Sequence, residues 1–149
     1  MQIRTPISVG ELLDKITILQ IKLERLYGPA RGNVARELAL LNQTKSDAHL
    51  NYSPEIVTLI SELKAINTAL WDIEDQIREL EERGNFGPMF IETARSVYRM
   101  NDKRAAIKLR INVLSESEIV EEKSYRSAST QQASPGNGRL QPEAIRAVT

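Results

Sequence analysis

Apolar residues recur at spacings of three and four along most of the chain, the period of helices that bury one face. Leu12, Ile16, Leu19, Leu23 and Leu26 form the first such seam, which ends at Gly28-Pro29. Ile18 and Ile21 lie on its other side, between Asp14 and Arg25, so this helix is expected to be touched on two faces. Ahead of it, Ser8-Val9-Gly10-Glu11 has the serine-to-glutamate spacing of a capping box, in which two side chains satisfy orphan backbone N–H groups. Val34, Leu38 and Leu41 mark a shorter helix that fades into the polar residues 42–51, read as a loop.

The longest pattern follows. Ser53-Pro54-Glu55 places an N-cap serine before a proline at the first helical position. From there Ile56, Leu59, Leu63, Ile66, Leu70, Ile73, Ile77 and Leu80 run unbroken to Gly84. Asn85-Phe86-Gly87-Pro88 reads as a turn into a second arm, whose seam is Phe90, Thr93, Val97, Met100, Arg104, Ile107, Ile111 and Leu114. Arms of roughly 28 residues span about 42 Å at a 1.5 Å rise, so an elongated helical hairpin is expected. One full and one short helix cover only part of it, which invites a second copy.

The ends of the chain read differently. Ile3, Thr5 and Ile7 alternate with Gln2, Arg4 and Pro6 as a short extended arm. No second strand is available to it, so it is expected to lie on the helices or to pair with another copy. Beyond Tyr125 the composition turns to Ser, Ala, Gln, Pro, Gly and Thr, too poor in apolar residues to offset the entropy of ordering. The expected division is a helical-bundle domain over residues 1–125 and a disordered low-complexity tail over residues 126–149.

Composition narrows the function classes. Twenty basic and twenty acidic side chains cancel, which leaves no overall field to attract nucleic acid, and none is expected as a partner. The chain has no cysteine, which excludes disulfides, thiol catalysis and thiolate metal sites. No segment has the apolar length of a signal peptide or a membrane span, so neither membrane insertion nor export is expected and the cytoplasm is the default location. The one histidine, His49, falls in the polar loop with no partner for a metal site, and no metal or cofactor is expected.

Several stretches together resemble a bacterial family of small helical proteins known only as a domain of unknown function. They are Gly10-Glu11-Leu12-Leu13-Asp14-Lys15-Ile16-Thr17-Ile18-Leu19, Asn67 with Leu70-Trp71 and Ile73-Glu74-Asp75, Ala94-Arg95-Ser96-Val97-Tyr98 with Asn101-Asp102, and Glu121-Glu122-Lys123-Ser124-Tyr125. The resemblance covers residues 1–125 and leaves the tail as something particular to this chain. It implies a setting beside glycosyltransferases and surface-polysaccharide genes, with no assigned activity and no catalytic residues.

One polar set merits weighing as a site. Asn67, Trp71, Glu74 and Arg78 form a stripe beside the seam of one hairpin arm, and Arg95, Tyr98, Asn101 and Asp102 form a stripe on the other. Facing each other, they would hold a sugar or a phosphorylated ligand, with aromatic stacking and Arg95 pairing with an anion. The structural alternative makes Glu74 and Arg78 an i,i+4 pair, Trp71 and Tyr98 core anchors, and Asn101 and Arg104 register-setting polar positions. Asp14 and Lys15 invite the same choice between lining a site and, for Asp14, complementing the helix dipole. Glu121 to Tyr125 have no helical period and suggest docking onto the body or onto a partner. Gly28-Pro29-Ala30-Arg31-Gly32-Asn33 lacks the lysine and hydroxyl of a phosphate-binding loop and reads as a plain interhelical turn. The expected protein is therefore an all-α, homodimeric interaction or accessory protein. The competing reading is a small ligand-binding protein or enzyme acting on a sugar or phosphorylated metabolite.

Overall fold

The computed structural model describes residue 1, residues 3–50 and residues 52–123, and all of their regular elements are helices. In chain order these are α1 (Val9–Arg25), α2 (Gly28–Asp47), α3 (Pro54–Glu82) and α4 (Pro88–Leu114). The tail expected over residues 126–149, and Ser124 and Tyr125 before it, lie outside the described residues.

α1 begins where its cap is. The Ser8 hydroxyl oxygen accepts from the Glu11 N–H at 3.0 Å, but Glu11 does not reach back to complete the box, because its carboxylate is held by Lys108. Leu12, Leu13, Ile16, Leu19 and Ile21 are all buried, so the helix is enclosed on more sides than the two expected. It packs against α2, α3 and α4, whereas α2 meets no element but α1 among the described residues. Both expected faces of α1 are thus covered within the chain.

α2 corrects two expectations. Residues 28–33 are helical rather than a turn, because Gly28 adopts φ +63 and the chain reverses over Leu26 and Tyr27 alone. Arg31 Nε then donates to the Leu23 carbonyl at 3.1 Å, satisfying one of the orphan acceptors at the end of α1. Residues 42–47 are helical as well. They lack an apolar period because they face water, and are secured by a Gln43 to Asp47 bond of 2.7 Å and by Lys45, whose ammonium lies 5.0 Å from the Tyr52 ring centroid. A polar helix end on the surface needs no seam.

The hairpin follows its pattern closely. The Ser53 side chain accepts from the Ile56 N–H at 3.2 Å and Pro54 opens α3. Every seam position on both arms is buried or half-buried. At the far end Gly84 takes φ +63, its N–H donating to Glu81 O and the Asn85 N–H to Leu80 O, the paired bonds of a Schellman stop. The core centres on Leu12, Leu13, Ile16, Leu63 and Ile111. Residues 3–7 form no strand. They are exposed, and Ile3, Arg4, Thr5 and Ile7 border a groove against Leu12 and Lys15 of α1 and Leu40 and Leu41 of α2. The arm therefore lies along the helices, one of its two expected places. None of the described helices is long and apolar enough to cross a membrane.

Candidate functional site

Where α1 crosses the hairpin, the apolar core is interrupted by a charged group. Asp14, in the buried run of α1, has no exposure at all. Burying a carboxylate alone is prohibitive, and here four donor contacts answer it. Arg104 of α4 donates through Nε to both carboxylate oxygens at 2.9 and 3.1 Å and through Nη2 to Oδ2. Asn67 Nδ2 of α3 donates to Oδ1 at 2.8 Å and to Thr17 Oγ1 at 2.9 Å. The Thr17 hydroxyl donates to the Asp14 carbonyl at 2.8 Å, and Arg104 Nη1 reaches Asn101 Oδ1 at 3.4 Å. Three helices therefore meet on one carboxylate. The hydrogen bonds it donates to Asp14 hold the Arg104 guanidinium above its ordinary pKa against the opposing effect of burial.

A second cluster clasps the start of α1 to the segment that follows α4. Lys108 Nζ, on α4, donates to Glu11 and, at 2.8 Å, to Glu121, while the buried Ser8 hydroxyl donates to Glu121 at 2.9 Å. The Val9 N–H donates to Ser117 Oγ at 3.2 Å. The segment after α4 thus folds back onto the N-cap of α1, the docking onto the body that Glu121 suggested. Burial alone would raise the Glu121 carboxyl, but the bonds from Lys108 and Ser8 outweigh it and bring it below the ordinary 4.5. Burial likewise pulls Lys108 down, and its bonds to Glu11 and Glu121 outweigh that to leave it above 10.5.

These directions fix the pH response of the clasp. Glu121 contributes fully above the ordinary glutamate value and loses its contribution as pH falls through the lowered folded value. Lys108 contributes fully below the ordinary lysine value and loses its contribution as pH rises through the raised one. Because the Glu121 side chain is 38% exposed, we expect Glu121→Gln to cost only about 1 kcal/mol at neutral pH. Melting of parent and variant across pH should show a gap that closes as acid protonates Glu121. A gap independent of pH would contradict the clasp.

Beside Arg104 lies an open cleft of about 290 Å³ lined by Ile18, Asn67, Leu70, Trp71, Glu74, Asp75, Arg78, Asn101 and Arg104. Five of the eight residues singled out from the sequence meet there: Asn67, Trp71, Glu74, Arg78 and Asn101. Each has an internal role as well. Glu74 and Arg78 form the i,i+4 pair at 2.9 Å, and Asn101 Nδ2 donates to the Val97 carbonyl at 3.1 Å. The Arg25 guanidinium sits over the Trp71 ring at 5.6 Å while bonding Asp72 at 2.6 Å. The other three, Arg95, Tyr98 and Asp102, do not line the cleft and are exposed on another side of α4. Tyr98 is accordingly no core anchor.

Asp14 and Arg104 carry more of the arrangement than the stripe-based reading gave them. The sequence signal was an arginine at an apolar seam position together with an aspartate and a threonine inside an apolar helix. Among the described residues the one buried side-chain polar atom without a hydrogen bond is the Tyr52 hydroxyl, outside both clusters. No grouping of described residues has the makings of a metal site, and His49 is exposed.

The sequence profile of a family of unknown function, DUF6165, matches residues 3–139. The chain belongs to this family. The DUF6165 match runs past Tyr125 to residue 139, so the stretch after Tyr125 is not wholly particular to this chain, as the shorter resemblance had implied. No curated protein and no solved structure matches the DUF6165 chain.

Proposed function

We propose that this DUF6165 chain is a non-enzymatic interaction or accessory protein. It works as a homodimer in the bacterial cytoplasm and meets a protein partner through the part of its hairpin that α1 and α2 leave bare. The observation that carries the reading is the distribution of polar and apolar groups. The charged groups that interrupt the core are paired internally, whereas Phe86 and Met89, at the far end of the hairpin, are each more than half exposed. Among the described residues no hydrogen bond or ion pair from α1 or α2 reaches residues 73–100. Large apolar side chains left exposed at the end of a helical arm are the feature expected of an interaction surface. The glycosyltransferase or surface-polysaccharide setting implied by the resemblance is where we would look for the partner.

A photo-crosslinking residue introduced at Met89 in cells tests this. One discrete adduct to another protein is expected from position 89, and none from Arg36, an exposed position on α2. Equal labelling from both positions, or none from 89, would count against the reading. The second reading, a ligand-binding protein or enzyme acting on a sugar or phosphorylated metabolite, is favoured by one observation. The cleft combines Trp71 with the amides of Asn67 and Asn101, and the Asn67 Oδ1 atom accepts no hydrogen bond among the described residues. That reading requires a ligand that stabilises the fold through Trp71.

A further inference from the structure

The three residues left outside the cleft share a surface. At 100° per residue, Ile91, Ala94, Tyr98, Ala105 and Leu109 fall within a strip about 60° wide along α4, with Arg95, Asp102 and Val113 on one edge. Ile91 is 52% exposed, Tyr98 56%, Leu109 46% and Val113 59%. An apolar strip open to water over most of its length, with Ala105 half-buried near Glu121 and Lys123, is uncommon on a lone helix.

The charges beside the strip indicate what covers it. On α4, Arg99 pairs with Glu92, Arg104 with Asp14, Lys108 with Glu11 and Glu121, and Arg110 with Glu55. Arg95 and Asp102 have no hydrogen bond or ion pair among the described residues, although both are exposed on the strip's edge. They are of opposite sign and symmetrically placed about Tyr98 and Arg99. If two α4 helices pack antiparallel with a two-fold axis beside Tyr98, Arg95 of each chain faces Asp102 of the other. The same register lays Ile91 of each chain over the small Ala105 and Ala106 of its mate and sets the two Tyr98 rings side by side. A two-fold interface must be self-complementary, and this strip is so in both charge and size.

We propose that the occupant is a second copy of this chain, docked α4 to α4 about Tyr98, with two Arg95 to Asp102 ion pairs at its rim. The inference deepens the interaction reading and rests on its homodimer, but not on the partner expected at the end of the hairpin.

Sedimentation velocity of the full chain tests it, with circular dichroism melting to confirm that each variant is folded. The parent should sediment at about twice 16.8 kDa. Tyr98→Asp should sediment as a monomer. Arg95→Asp and Asp102→Arg should each weaken association about tenfold, since every reversal places like charges opposite one another twice. The double swap Arg95→Asp/Asp102→Arg should restore the dimer, and Lys103→Asp, on another side of α4, should leave it unchanged. A parent that remains monomeric overturns this interface, while an adduct at Met89 to a different protein would leave the partner reading standing. A dimer indifferent to Tyr98→Asp, or a double swap that fails to restore association, also overturns it.

Discussion

Replacing Arg104 with alanine should destabilise the fold by about 3 kcal/mol, the low end of the range for removing one member of a buried ion pair. The size follows from what is left behind. Asp14 has no exposure, and losing the guanidinium removes three of its four donor contacts, leaving Asn67 alone to answer a buried carboxylate. The low end applies because the Arg104 side chain is 28% exposed, so water enters part of the vacated volume. The melting temperature should fall by about 10 °C. Arg104→Ala/Asp14→Leu should recover part of that loss, because no unpaired charge then remains. A loss below about 1 kcal/mol in the single variant would show that Asp14 is not held as described.

Gly10→Ala is the sharper test because two general rules disagree about its sign. Helix propensity favours alanine over glycine by up to about 1 kcal/mol. Here, however, a Cβ at position 10 would sit 2.6 Å from the Lys108 carbonyl oxygen and 2.9 Å from Asn112 Oδ1. The first of those is backbone of α4 and cannot swing aside. α1 would have to lift, weakening the Gly10 N–H bond to Asn112 Oδ1, now 2.6 Å, along with the clasp beside it. Overpacking of this kind costs about 1 to 3 kcal/mol, and a weakened bond to a buried acceptor adds about 1, so a net destabilisation of about 2 kcal/mol is expected in thermal or denaturant unfolding. A stabilised Gly10→Ala would mean that the helices are not in contact there.

The hairpin was legible in the sequence because its seam, its caps and its glycine stop all agree. Ser53, Pro54 and Gly84 each occupy the place their chemistry suggests. α2 was half legible. Val34, Leu38 and Leu41 announce it, but its extension through residues 42–47 rests on Lys45 over Tyr52 and on local polar bonds, which leave no apolar period to read. The position of α1 was underestimated, since Leu13 and Thr17, buried between the two expected faces, complete a helix enclosed on several sides rather than on two.

The site was legible in its residue types and less so in its geometry. Asn67, Trp71 and Asn101 converge as their spacing implied, but Tyr98 and Arg95 lie on the same helix at angles that a stripe drawn along the sequence does not resolve. The central ion pair joins positions 14 and 104, and Gly10 meets Asn112 across a similar distance in sequence. Contacts between such remote positions leave only the oddity of a charged residue in an apolar run. Arg104 in its seam was that oddity, and its partner is identified only once α1 is laid across the hairpin.

The claim that the polar groups serve the fold while the exposed apolar surface serves a partner is tested most directly by ligand-dependent melting. The full chain is heated with nucleotide sugars, sugar phosphates and metabolite anions in turn, alongside Trp71→Ala. A true ligand at about 100 times its dissociation constant adds about 2.7 kcal/mol, a shift of several degrees at this size. No compound is expected to move the melting temperature of the parent. A shift of several degrees that disappears in Trp71→Ala would contradict the account and assign the cleft to a small molecule.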